Sequence, residues 1–516
     1  MAIRDPSTSS DEPDDPAHGV GTSSGHEILL TGASGFLGHY LLAELLDRPT
    51  LRCHVLLRPP LSDSLRRLTT LLGELKIDLA EQIRYRRVVP IEGTLPDALP
   101  NTDLSGVSTF INAAGCTVFD ADASGELMRT NVEGTRALLD WAQTVNVDRF
   151  VQISTAYVCG ERTGIVPEAV APSRPPFHND YERSKWLAEQ LVLQWRDVNR
   201  TLIICRPSIL FGDLKRGRAT RMKGLYLIAR ATELLSRAAA DDPDLNRSAI
   251  PLRLLGKRDA TTNVIPVDWA AEQIARLALD PMPDGPVHHI TNPHPPTHAE
   301  IKRWLEDYFN IGGGRFCDGQ WPLEDPNHYE TLFYSLGNVV HDYFRHGLTF
   351  ESRCADRIPP RRLVDRDHFF ACLRYAQSTQ WGRGRVRDPG PPSSNGRVDP
   401  RFYFERFLPH AVPRSIVARI EALTANIRFT ITDQEPGTWA CRFEQGHLVE
   451  VHPRFNGLDT EFEYRLAYQD FELIVTRRKS VQAVFFQGNI EIVGNVERAL
   501  KWVPIMGEFL KEHPVH

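Results

Sequence analysis

The apolar run Glu27-Ile-Leu-Leu-Thr31 passes directly into Gly32-Ala-Ser-Gly-Phe-Leu-Gly38, and a helical pattern follows from His39 to Leu46. A buried strand, a tight glycine turn and a helix in immediate succession leave few folds open, because that order starts a unit of a parallel sheet. The alternation continues. Strand-like runs at Arg52–Arg58, Arg87–Ile91, Ser108–Ala114, Arg149–Ser154 and Thr201–Arg206 are separated by helical stretches, one of them over Thr135–Val145. Apolar strands alternating with helices predict an α/β fold with a Rossmann-type, doubly wound parallel sheet.

The regularity fades after about Gly212. Arg221–Arg237 has the pattern of an amphipathic helix, read as packing against the sheet, with cover of an acyl channel or membrane contact as the alternatives. Pro- and His-rich loops are expected over 281–298, with His288, His289, His294 and His298 read as surface residues rather than metal ligands. Residues 300–380 read as largely helical. The basic, turn-rich stretch from Gly382 to Pro400 reads as a linker. Beyond it, Trp439–Val451 suggests a hairpin about Gln445-Gly446, Thr460–Tyr468 a half-buried antiparallel strand, and Asn489–Val493 a strand before a closing helix. The expected division is therefore a disordered tail over 1–25, a nucleotide-binding domain over 26–290, a mostly helical substrate region over 291–381, a linker over 382–400 and a small α+β domain over 401–516.

At 516 residues with 41% hydrophobic content, the chain has material for several cores. A formal charge of −6 gives no electrostatic case for nucleic acid. No run approaches the ~18 apolar residues of a membrane span. Eight cysteines, at 53, 116, 159, 205, 317, 354, 372 and 441, lack metal-like spacing and read as free thiols of a reducing, cytoplasmic compartment. Cys116 and Cys159 are read as packing residues, since no base stands near them in the sequence.

Chemistry enters with two further features. Gly32, Gly35 and Gly38 permit close backbone approach to a pyrophosphate at a helix N-terminus, although their spacing is not the usual Gly-x-Gly-x-x-Gly. Downstream, Tyr181 and Lys185 stand four residues apart in Asn179-Asp-Tyr-Glu-Arg-Ser-Lys-Trp186, one helical turn. A phenol beside an ammonium can polarise a carbonyl, and a dinucleotide supplies hydride, so the pair predicts a nicotinamide-dependent reductase or dehydrogenase. Lys185 is expected to lower the Tyr181 phenol by its charge. Thr155 ends a strand, where substrate sites of open α/β sheets lie. Where an NAD site places an acid, this chain has Arg58, with Arg66 and Arg67 following, which predicts NADPH as cofactor.

These residues resemble the extended short-chain dehydrogenase/reductases over roughly 27–290. Asn112-Ala-Ala114, Asn131-Val-Glu-Gly-Thr135, Arg206-Pro-Ser-Ile-Leu210 and Pro266-Val-Asp268 match beside Thr155, Tyr181 and Lys185. The resemblance implies cofactor contacts from Gly32, Ser34, Gly35, Phe36, Leu37, Gly38, Arg58, Thr94, Leu95, Asn112, Ala113, Ala114, Asn131, Tyr181, Lys185, Pro207 and Ile209. Ser154-Thr-Ala-Tyr-Val158 and Ser184-Lys-Trp-Leu-Ala-Glu189 look like the fatty acyl-CoA reductases and thioester-reductase domains. Asp342–Arg353, with Phe350-Glu351, is a looser match to the former. What this implies is NADPH-dependent reduction of an acyl-CoA or acyl-carrier-protein thioester to an aldehyde, with a second hydride giving an alcohol left open. Over 400–516, Trp439, Tyr468-Gln-Asp-Phe471, Phe485–Asn495 and Ala499-Leu500 resemble sterol-carrier-protein type lipid-binding domains, which implies a place for a lipid chain. The alternatives are a hydroxysteroid dehydrogenase, a nucleotide-sugar epimerase or reductase, and an NADPH-gated lipid carrier without catalysis. Oligomeric state is not legible.

Overall fold

The computed structural model describes residues 26–117, 125–195, 200–242, 245–280, 285–319, 323–337, 347–353, 363–381, 398–415, 418, 424–434, 437–453 and 459–513. The expected tail (1–25), most of the expected linker (382–397), residues 342–346 of the acyl-reductase-like stretch and Cys354 lie outside the described residues.

Seven strands form the central sheet: β1 (Glu27–Thr31), β2 (Arg52–Leu57), β3 (Val88–Glu92), β4 (Val107–Asn112), β5 (Arg149–Ile153), β6 (Thr201–Pro207) and β7 (Val287–Ile290). They lie in the order β7-β6-β5-β4-β1-β2-β3, and every pairing is parallel. The order reverses between β1 and β4, where open α/β sheets place their ligands. Strand periodicity sends alternate residues to opposite faces. Ile28 and Leu30 pack with helices α1 (Phe36–Leu46) and α6 (Val267–Leu279). Leu29 packs on the other face with α3 (Gly134–Thr144) and α4 (Asp180–Trp195). Helices thus cover both faces of a Rossmann-type sheet.

One strand was hidden in the sequence. The stretch expected as His-rich surface loop contains β7, and His288 and His289 are buried within it. Their polar groups are satisfied internally. The His289 amide donates to Glu168 Oε1 at 2.5 Å, its Nδ1 lies 2.7 Å from the Glu351 carbonyl, and Nε2 of His288 lies 3.0 Å from the Gly285 carbonyl. Burial, with Arg206 adding to it, pulls the His289 imidazole down to about 4, so that ring is neutral.

Helices α5 (Leu225–Asp241), α7 (His298–Phe309), α8 (His328–Gly337) and α9 (Arg366–Ser378) form the helical region, and α2 (Leu61–Glu74) follows β2. The α7 N-terminus is fixed by a capping box between Thr297 and Glu300. Trp304 and Phe369, 5.4 Å apart between ring centres, join this region to the core that lies under β1.

The C-terminal unit is a five-stranded sheet, β8 (Ala425–Ile431), β9 (Thr438–Glu444), β10 (His447–Pro453), β11 (Phe462–Leu466) and β12 (Glu491–Gly494), closed by α10 (Val496–Glu512). Its order is β10-β9-β8-β11-β12. The β9–β10 hairpin turns on Gln445 and Gly446, with φ of 48° and 79°, the left-handed pair a two-residue hairpin needs. Two expectations are corrected. β11 is not simply antiparallel: it pairs parallel with β8 and antiparallel with β12, and Tyr468 opens a helix rather than extending the strand. A helical segment also begins at Pro400, capped by Asp399, which was expected to be linker. This unit packs on α5. Arg230 donates to the Phe485 carbonyl at 3.5 Å with its guanidinium 5.4 Å from that ring's centre, and His328 lies 3.1 Å from Glu497.

Candidate active site

The turn after β1 is built for close approach. Gly32 has φ of 71°, and its carbonyl accepts from the Gly35 amide at 2.9 Å. A Cβ on Gly32 would lie 2.5 Å from the Ala113 backbone, and one on Gly38 only 2.0 Å from the Gly32 carbonyl oxygen. Side chains at either position would close the turn that Ser34, Gly35, Phe36 and Leu37 line, each partly exposed. The turn is tied to the end of β4. Thr31 Oγ1 donates to Asn112 Oδ1 at 2.8 Å and accepts from the Ala114 amide at 3.1 Å, while Asn112 Nδ2 reaches Thr135 and Gln152. Gly32, Gly35, Gly38, Asn112, Ala113 and Ala114 therefore form one cradle at the switch point, and its shape fits a dinucleotide pyrophosphate.

Beside it lie the proposed catalytic groups. Thr155 caps the short 3₁₀ turn Ala156–Cys159, accepting from the Tyr157 amide at 3.3 Å, and its hydroxyl is hydrogen-bonded to Tyr181. Tyr181 and Lys185 occupy the first turns of α4, and Lys185 Nζ donates to the Ile153 carbonyl at 2.8 Å. Asn131 sits in a π-helical turn, Arg129–Glu133, a distortion common at functional sites. Its side chain holds both backbone groups of Cys116 and donates to Ser184 Oγ at 2.8 Å, and Ser184 donates to the Tyr181 carbonyl. A Cβ on Gly115 would lie 3.2 Å from Lys185 Nζ and 3.4 Å from Asn131 Oδ1, so the end of β4, the π-helical turn and α4 converge at that glycine.

The electrostatics depart from expectation in one respect. Burial pushes the Tyr181 phenol above its ordinary value, the Glu182 carboxylate adds to this, and the Thr155 hydrogen bond works against it. Lys185, expected to draw the phenol down, is not among the groups that shift it; its ammonium donates to the Ile153 carbonyl. Tyr181 is thus a protonated donor through neutral pH. Burial pulls Lys185 down to about 8, with Glu189 opposing. A depressed lysine loses its charge above that pH. Affinity for a reduced nicotinamide dinucleotide is accordingly expected to weaken above about pH 8, followed by fluorescence titration; affinity unchanged up to about pH 9.5 would contradict the role given to Lys185.

The other predicted residues are more scattered. Thr94 bridges to Ala98, and Leu95 packs beside Gly134 at the start of α3. Pro207 ends β6, and Ile209 lies 3.1 Å from where a Cβ on Gly224 would stand. Arg58 is exposed at the end of β2. Cys159 is no nucleophile, since burial pushes its thiol up to about 12.

Two contributions were missed in the sequence. Glu182, fully buried beside Tyr181, accepts from the His178 amide at 3.0 Å and pairs with its ring; its place in the Tyr181–Lys185 motif was the available signal. The second is the segment before α5. Arg218 donates to the Glu74 carbonyl at the end of α2, and Arg221 and Lys223 reach Thr117 beyond β4. Loss of water and then the positive charges of Arg67 and Arg58 hold the Arg221 guanidinium below its ordinary value. The strap thus brings a third guanidinium to those of Arg58 after β2 and Arg67 in α2, from a part of the chain too distant for local spacing to reveal.

Comparison with known proteins agrees with this architecture. Residues 30–274 match the family model described as male sterility protein, and residues 404–507 match the SCP-2 sterol transfer family. Relatives include the nonribosomal peptide synthetase asaC of Aspergillus flavus, 28% identical over 302 residues, which are 54% of this chain and 27% of that protein. The aldehyde reductase lnaA of the same organism is 26% identical over 291 residues, 52% of this chain and 26% of that protein. The chain therefore spans about a quarter of the length of these relatives. Among solved structures, the terminal R domain from the myxalamid PKS-NRPS biosynthetic pathway aligns with a TM-score of 0.56 at 21% identity, covering 72% of this chain and 94% of that one. A thiolation-reductase di-domain from an archaeal non-ribosomal peptide synthetase gives 0.52 at 21%, covering 69% and 91%. At that identity the likeness establishes the fold.

Proposed function

We propose that this chain, an NAD(P)-binding domain of the male sterility and thioester-reductase type joined to an SCP-2 domain, reduces an acyl thioester to an aldehyde with NADPH. The observation that carries this reading is the Thr155–Tyr181 hydrogen bond beside the Gly32–Gly38 cradle, with the phenol held protonated. NADPH, when bound, supplies hydride to the carbonyl carbon. Tyr181 and Thr155 donate to the oxygen as negative charge develops there, and Tyr181 gives up its proton. Lys185, while charged, holds the ribose hydroxyls. The hemithioacetal then collapses: its hydroxyl returns the proton to the Tyr181 phenolate, the carbonyl reforms and the C–S bond breaks, expelling the thiolate. We favour a carrier-bound thioester over acyl-CoA, because relatives of this chain include nonribosomal peptide synthetases. Reaction with the same acyl group on a carrier protein and on CoA tests this: a higher kcat/KM for the carrier form is expected, and preference for CoA would reverse the assignment.

Arg58, Arg67 and Arg221 support NADPH over NADH, since clustered guanidiniums suit a phosphate dianion. Arg58→Asp is expected to weaken NADPH by roughly a hundredfold and NADH little. Equal loss with both cofactors would remove this assignment.

We also read the C-terminal unit as a lipid-holding module, divided from the reductase within 382–400. It holds an apolar cavity of about 110 Å³ lined by Phe404, Phe429, Tyr464, Trp502 and Phe509 among others.

A further inference from the structure

A second apolar cavity, of about 110 Å³, lies in the reductase half between α5 and α7. Ile228 and Leu235 of α5, Ile301 and Leu305 of α7, and Ile250 and Leu252 form much of its wall. The polar side chains that touch it are engaged in the protein. Thr232 Oγ1 donates to the Ile228 carbonyl at 2.9 Å. The Tyr334 hydroxyl donates to the Arg253 carbonyl at 2.9 Å and accepts from the Leu255 amide at 2.8 Å. Nδ1 of His298 lies 3.0 Å from the Lys257 carbonyl, and Lys302 pairs with Glu306 at 2.6 Å. A sugar or nucleotide entering would give up water and find few partners, at a cost of several kcal/mol. An aliphatic chain gives up nothing of the kind and gains from burial.

Its place in the fold also matters. The α5 helix starts at the cofactor cleft, where Lys223 bonds Thr117 and Gly224 meets Ile209. Ile228 is four residues further, about 6 Å along the helix axis. Leu235, Ile250 and Leu252 belong to the same apolar cluster as Phe462, Tyr464 and Trp502 of the C-terminal unit. The helix that walls the cavity is also the one Phe485 packs on, through Arg230.

We propose that this cavity is a second acyl-chain site, which holds the aliphatic tail of the substrate while its thioester lies at Tyr181. That the tail is attached to a thioester rests on the function proposed above; the site itself does not. The test is titration of the full chain with cis-parinaric acid, a fluorescent fatty acid. Two bound per chain are expected, falling to one in Ile228→Trp and to one in Met506→Trp, which fills the C-terminal cavity. Ile228→Trp should also lower kcat/KM for a palmitoyl thioester about tenfold or more and leave a butyryl thioester nearly unchanged. Thr232→Phe serves as a second filling variant if Ile228→Trp fails to fold. A single bound fatty acid, unaffected by filling between α5 and α7, would overturn the proposal. Two bound fatty acids with no turnover of any thioester would keep the site and remove the thioester reading.

Discussion

Tyr181→Phe is expected to lower kcat by about three orders of magnitude while NADPH binds nearly as before. The substitution removes one hydroxyl and leaves the ring, so α4 and the cofactor cradle keep their packing. What is lost is a donor held protonated by burial and by Glu182, and aligned by Thr155. Thr155→Val should follow the same course with a smaller loss, because Tyr181 remains. Single-turnover NADPH oxidation and a cofactor titration separate the two effects. Turnover near that of the parent enzyme would remove Tyr181 from the chemistry.

The largest effect on stability is expected from Glu189→Leu. Glu189 and Arg206 form a buried, bidentate pair at 2.7 and 2.9 Å, both nearly without solvent contact, and Arg206 also donates to the Ala169 carbonyl. Removing the carboxylate leaves a guanidinium in the interior, which costs about 3–5 kcal/mol. Replacing both residues by leucine should recover part of the loss, since no charge is then stranded. Urea denaturation followed by tryptophan fluorescence checks both. A Glu189→Leu protein as stable as the parent would mean that Arg206 finds another partner. The pair joins α4 to β6, so it bears on how firmly Lys185 is held.

How far the sequence was legible follows from the kind of signal each feature leaves. Gly32, Gly35 and Gly38 are local, and the turn is where the spacing puts it. Tyr181 and Lys185 needed only a helical turn, and Thr155 only a strand end; Thr155 meets Tyr181, and Lys185 reaches the Ile153 carbonyl two residues before Thr155. β7 escaped because its side chains include His288 and His289, and a buried neutral histidine cannot be told from a surface one by type. The parallel pairing of β11 with β8 escaped because alternation reports which face is buried, not which neighbour is bonded. Arg221 and the α5–α7 cavity escaped for a further reason. Both arise from segments far apart in the chain, so no window of sequence contains them.

The most direct test of the central claim is the ratio of free thiol released to NADPH oxidised when the full chain is given a carrier-bound acyl thioester. Thiol release in step with NADPH oxidation is expected, one NADPH per thiol if the aldehyde is the product and two if it is reduced again. NADPH oxidation without thiol release, or turnover only with steroid or sugar substrates, would contradict thioester reduction.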